Sequence, residues 1–135
     1  MSELLATAAL SLGTSYDVEI FEAHHRAKRD APSGTALSLA EVIASVRHQS
    51  LSDVASYDRH GDESPRKPGS IGFSVLRTGD IVGEHTVTFA GAGERLEITH
   101  RATDRITFAR GALRAAAWLV GQPKGLYGMH NVLGL

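Results

Sequence analysis

The residues that could do chemistry crowd into one stretch, Glu22-Ala23-His24-His25-Arg26-Ala27-Lys28-Arg29-Asp30-Ala31-Pro32-Ser33-Gly34-Thr35-Ala36. Two histidines, one lysine and two arginines fall within six positions, from His24 to Arg29. Cations this close repel one another and lower each other's pKa. A chain that had only to fold gains little from that. A chain that must hold an anion and hand it a proton gains a great deal. His titrates near neutrality, and a Lys lowered by neighbouring charge can act as an acid. His24 and Lys28 are therefore the candidate proton-transfer pair. Ser33 is a favoured N-cap, so Gly34 and Thr35 open a helix whose first N–H groups have no intrahelical partner. With the helix dipole they make an anion site. The hydroxyls of Ser33 and Thr35 add donors, and Gly34 admits a ligand close to the backbone. A solvated basic loop followed by an ordinary helix start accounts for the same residue types.

Leu4, Leu5, Ala8, Ala9 and Leu12 fall at helical spacing, with Gly13 suited to the stop. Tyr16 to Ala23 alternates and reads as a strand, with Val18, Ile20 and Glu22 on one side. Leu37, Leu39, Ala40, Val42, Ile43 and Val46 then continue the helix that Ser33 caps. From His48 to Gly69 the chain is polar and aperiodic, and reads as a long exposed loop. Three more strands follow at Ser70 to Thr78, Gly83 to Ala90 and Arg95 to Ala102, and a last helix runs from Thr107 to Val120. The expectation is an α+β fold with an open, mixed, four-stranded sheet covered by helices on one face. Its other face, with Thr86 and Thr88, needs a different cover, which favours self-association.

The chain has 135 residues, 42% of them hydrophobic, enough for one small core. A formal net charge of -1 gives no global field for nucleic acid or a membrane surface. Having no cysteine excludes disulfides and thiolate-bound zinc, and is compatible with a cytoplasmic home, the expected location. Met1 to Leu12 carries Glu3 and lacks a basic leader, so it does not read as a signal peptide. No apolar run has membrane-spanning length.

The segment from Glu22 to Ala36 resembles the signature of dihydrodipicolinate reductase, the bacterial and plant enzyme of the diaminopimelate route to lysine. That signature reads Glu-x-His-His-x-x-Lys-x-Asp-x-Pro-Ser-Gly-Thr-Ala, and every fixed position is matched. Further matches are Gly72-Phe73 with Arg77, Gly79 to His85, Glu94 to His100, and Phe108-Ala109 with Gly111-Ala112. The resemblance implies reduction of a cyclic unsaturated dicarboxylate to tetrahydrodipicolinate with NADH or NADPH, in a homotetramer. It makes His24 a proton donor and acceptor and Lys28 a proton donor, and gives the carboxylates to His25, Ser33, Gly34, Thr35 and Arg105.

Family members carry a dinucleotide-binding domain ahead of this region, with a Gly-x-Gly-x-x-Gly turn. The candidate here, Gly91-Ala92-Gly93-Glu94-Arg95-Leu96, has Leu at the third glycine and lies between strand-like runs, so it reads as a hairpin turn. The chain thus resembles the substrate-binding and assembly half alone. Residues 1–16 would be an interdomain helix remnant, 17–105 the substrate and assembly domain, and 106–135 a helix and tail that pack with the cofactor domain in the family. By itself such a piece is expected to bind no nicotinamide and to turn over no substrate. The competing reading is an assembly or anion-binding module without chemistry. His85 and His100, on neighbouring strands, lack an evident third ligand, so no metal is expected. Arg77, Asp80, Glu84 and Glu94 suit turn and edge roles as well as chemical ones, and Trp118 suits packing.

Overall fold

The computed structural model describes residues 1–61 and 63–135. They fall into two compact units, Met1–Arg101 and Ala102–Leu135. The first opens with helix α1 (Ser2–Leu12), strand β1 (Asp17–His24) and helix α2 (Gly34–Val46). A short helix α3 (Leu51–Val54) leads into the two-residue strand β2 (Ala55–Ser56). Strands β3 (Ile71–Arg77), β4 (Gly83–Gly91) and β5 (Glu94–Ala102) complete one mixed sheet in the order β2-β3-β1-β4-β5. β1 runs parallel to β3 and antiparallel to β4, and β2 runs parallel to β3.

Among the described residues the sheet therefore has five strands rather than four. The extra one, β2, lies in the stretch that reads as a polar loop. Two residues are too few to leave an alternating pattern, and the strand forms only because β3 offers a parallel edge. Just before it, Leu51 and Val54 pack against the core, which anchors the approach.

α1 and α2 cover one face of the sheet. Leu5 and Ala9 of α1, and Ala36, Leu39, Ala40, Ile43 and Ala44 of α2, are buried in one cluster with Val18, Ile20, Ile71, Phe73, Val87 and Phe89. Register explains the cluster: Val18 stands beside Ile71 and Phe89, and Ile20 beside Phe73 and Val87. The alternate residues point to the other face, where Phe21 and Leu76 are 38% and 41% exposed. There Thr86 and Thr99 bond through their hydroxyls at 3.0 Å.

The second unit contains helix α4 (Ile106–Leu119) and the short helix α5 (Met129–Leu133), the latter without a periodic signal in the sequence. Half-buried Trp118 meets Tyr127 edge-on, with ring centroids 5.2 Å apart. Ile106, Phe108, Leu113 and Leu119 of α4 are exposed.

Candidate functional site

The site is built around Glu22, in phase with Val18 and Ile20 on β1 and, like them, fully buried. A carboxylate without water must find donors inside the protein. Arg77, at the end of β3, supplies two in a bidentate clamp, Nη1 to Oε2 at 2.7 Å and Nη2 to Oε1 at 2.6 Å. His24 Nδ1 lies 2.6 Å from Oε2, and the backbone N–H of Ser33 donates to Oε1 at 2.8 Å. Each oxygen thus has two partners. Burial by itself would raise the Glu22 carboxyl, but bonds from Arg77, His24 and Ser33 outweigh it and hold the group below its ordinary range. The same clamp holds the Arg77 guanidinium above its ordinary value, against the opposing effect of burial.

The basic loop closes over this centre. Thr78 N–H donates to the His24 carbonyl at 3.0 Å and Arg26 N–H to the Gly79 carbonyl at 3.2 Å, tying the start of the loop to the segment after β3. Arg77 Nη2 also donates to the Asp30 carbonyl at 2.6 Å, which fixes its far end. The Ala31–Pro32 peptide is cis. Ser33 then caps α2, its Oγ accepting from Ala36 N–H at 3.2 Å. The same Oγ lies 3.1 Å from Nε2 of His85, a buried β4 side chain. Desolvation, with help from the nearby His24, lowers His85 to about 4. At neutral pH it is an uncharged partner for the serine hydroxyl.

The structure joins His24 and the start of α2 through one shared carboxylate. The His24 side chain is 12% exposed and stacks edge-on against His85, centroids 5.2 Å apart. Gly34 and Thr35 are exposed in the first turn of α2, and a Cβ at Gly34 would meet open space. Lys28 pairs with exposed Asp30 at 2.8 Å, a surface contact that an incoming anion can displace. This pairing holds the Asp30 carboxyl below its usual range. His25 is half-buried in the loop between them. Ser33 is 2% exposed, and its N–H and Oγ are both within hydrogen-bond distance of protein groups. Arg105 belongs to the second unit, as the N-cap of α4.

Three residues of this centre escape a local reading: Glu22 as its hub, Arg77 as clamp and His85 as support for Ser33. A signal existed for Glu22, because a carboxylate in phase with Val18 and Ile20 must be buried and partnered. Among the described residues, no three His, Cys, Asp or Glu side chains are grouped to hold a metal ion. Gly91-Ala92-Gly93 forms the turn of the β4–β5 hairpin, not a strand-to-helix crossover, so it does not fit a dinucleotide pyrophosphate. No helix among the described residues is long and apolar enough to cross a membrane.

A family model described as dihydrodipicolinate reductase, C-terminus, matches residues 1–133. A 4-hydroxy-tetrahydrodipicolinate reductase of Bordetella parapertussis is 61% identical over 133 residues, covering 98% of this chain and 49% of the relative. One from Hahella chejuensis is 57% identical over 132 residues, with the same coverage of 98% and 49%. The chain thus spans about half the length of the curated relatives it matches. Among solved structures, a dipicolinate-bound dihydrodipicolinate reductase from Paenisporosarcina sp. superposes with a TM-score of 0.68 at 26% identity. That match covers 96% of this chain and 50% of the other.

Proposed function

This chain belongs to the dihydrodipicolinate reductase C-terminal family, and on that premise we propose that it is the substrate-binding and proton-donating half of such a reductase. The substrate is a cyclic unsaturated dicarboxylate of the diaminopimelate route to lysine, and the product tetrahydrodipicolinate. What supports this reading is the single carboxylate that holds both His24 and the N-terminus of α2. One group delivers protons and the other attracts anions, and Glu22 keeps them neighbours. One carboxylate of the ligand rests on the N–H groups of Gly34 and Thr35 and on the Thr35 hydroxyl. His25 adds to the anionic contacts. His24 Nε2 and Lys28 Nζ face the ring and supply its proton, while Ser33 keeps the helix start in place. In this family the hydride comes from NADH or NADPH. The share of this chain is binding, orientation and the proton.

In a polypeptide that also carries the cofactor-binding half, His24→Ala or Lys28→Ala should lower turnover by roughly 10²–10⁴-fold, the usual worth of a positioned acid. Cofactor affinity should stay close to normal. Near-normal turnover in both variants would refute the assignment.

A module that binds the dicarboxylate without turnover is the second reading. It is favoured by the hairpin character of Gly91-Ala92-Gly93 and separated from the first by whether adding the cofactor-binding half restores reduction. The sheet face carrying Phe21, Leu76, Thr86 and Thr99, with Phe21 and Leu76 exposed, supports self-association, which in this family means a homotetramer. Light scattering after size exclusion should report about four chains per particle. A monomer at micromolar concentration would count against it.

A further inference from the structure

Glu22 is a buried ionisable group to which proton delivery by His24 and Lys28 gives no chemical step of its own. It is fully buried and its oxygens receive four hydrogen bonds: two from Arg77, one from Ser33 N–H and one shared with His24 Nδ1. Bidentate pairing with a guanidinium makes it a carboxylate. A carboxylate can only accept, so the hydrogen in the 2.6 Å contact belongs to His24 Nδ1. We propose that Glu22 is the positioning residue for His24: by fixing a proton on Nδ1 it makes Nε2 the nitrogen that exchanges a proton with the bound ligand. Arg77 keeps the carboxylate turned to that task.

The surroundings of the ring agree. On the Nε2 side stands Gly83, where a Cβ would lie 3.2 Å from that nitrogen, so glycine leaves it room. The edge-on contact with His85 restricts the ring plane. Because Glu22 Oε1 also holds Ser33 N–H, the ring and the start of α2 share one anchor and keep one spacing. A carboxylate present only to neutralise Arg77 would leave the tautomer of His24 free. The inference rests on the reading of His24 as a proton donor, but its test does not depend on turnover.

Long-range proton–nitrogen NMR of this chain, at a pH where His24 is neutral, reads the tautomer directly. The Nδ1-protonated form should exceed the Nε2-protonated form by about tenfold or more, the bias of a charge-assisted hydrogen bond. Glu22→Gln should abolish that preference, because an amide can accept from or donate to Nδ1. Arg77→Lys keeps the carboxylate and should keep the preference. Neutral His24 protonated on Nε2 in the unaltered chain would overturn the proposal, even if Glu22→Gln fails to fold. So would an unchanged ratio in folded Glu22→Gln. The expected tautomer combined with undiminished turnover in His24→Ala would overturn the reading of His24 instead.

Discussion

Two ends of one sheet face solve burial in opposite ways. At one end Val18 and Ile20 of β1 meet Ile71, Phe73, Val87 and Phe89. Two residues further on, Glu22 is just as buried and stands beside His85 across β4. The strand, the face and the register are the same. The apolar end is held by a force without direction, proportional to the area hidden from water. Any side chain of similar size and shape serves nearly as well. The polar end is held by bonds with direction, each fixing one neighbour. Burying a carboxylate thus dictates where Arg77, His24 and Ser33 must be. Precision at the site follows from placing a charge where the fold would otherwise put another Val or Ile.

The largest effects should come from breaking either end. Phe89→Ala should cost about 3–5 kcal/mol of stability through the cavity it leaves. Arg77→Met should cost a comparable amount, about 3–5 kcal/mol, by stranding a buried carboxylate. The two losses should differ in kind. The Phe89 loss should not depend on pH. The Arg77 loss should shrink in acid, because protonating Glu22 removes the uncompensated charge. Urea unfolding of both variants at several pH values distinguishes them, and parallel pH profiles would show that the two ends do not differ as described.

A somewhat smaller effect belongs to His85. Its folded value of about 4 lies below the ordinary 6.5, so as pH falls the unfolded chain takes up the proton first. Stability is complete above 6.5 and is lost as pH falls toward 4, by roughly 3 kcal/mol at most. Glu22, also held low, adds loss at still lower pH. His85→Gln should remove the part of the acid loss that begins near 6.5. An unaltered profile in that variant would assign the loss to other groups.

Local chemistry made part of this legible. Ser33 as N-cap, the helix to Val46, the strand before the basic loop and the β4–β5 turn all leave marks within a few residues of themselves. The inward phase of Glu22 was visible too, beside Val18 and Ile20. Its partners were not. Arg77 is 55 positions away, and His85 is 52 positions from Ser33. Such pairings depend on which strands lie side by side, and the order β2-β3-β1-β4-β5 is set by the packing of the whole sheet. For the same reason β2, two residues on a borrowed edge, has no signature of its own. Ser33 looks like a ligand donor in isolation, and only the fold shows its N–H and hydroxyl turned inward.

On the proposed function, the start of α2 and the basic loop together receive a dicarboxylate. Titrating this chain with pyridine-2,6-dicarboxylate while following backbone amide and histidine ring signals tests it most directly. The amides of Gly34 and Thr35 and the rings of His24 and His25 should shift together along one saturating curve. The response should weaken with added salt, as an exposed electrostatic site requires. Saturable shifts confined to other parts of the chain, with Gly34 and Thr35 unmoved, would contradict it.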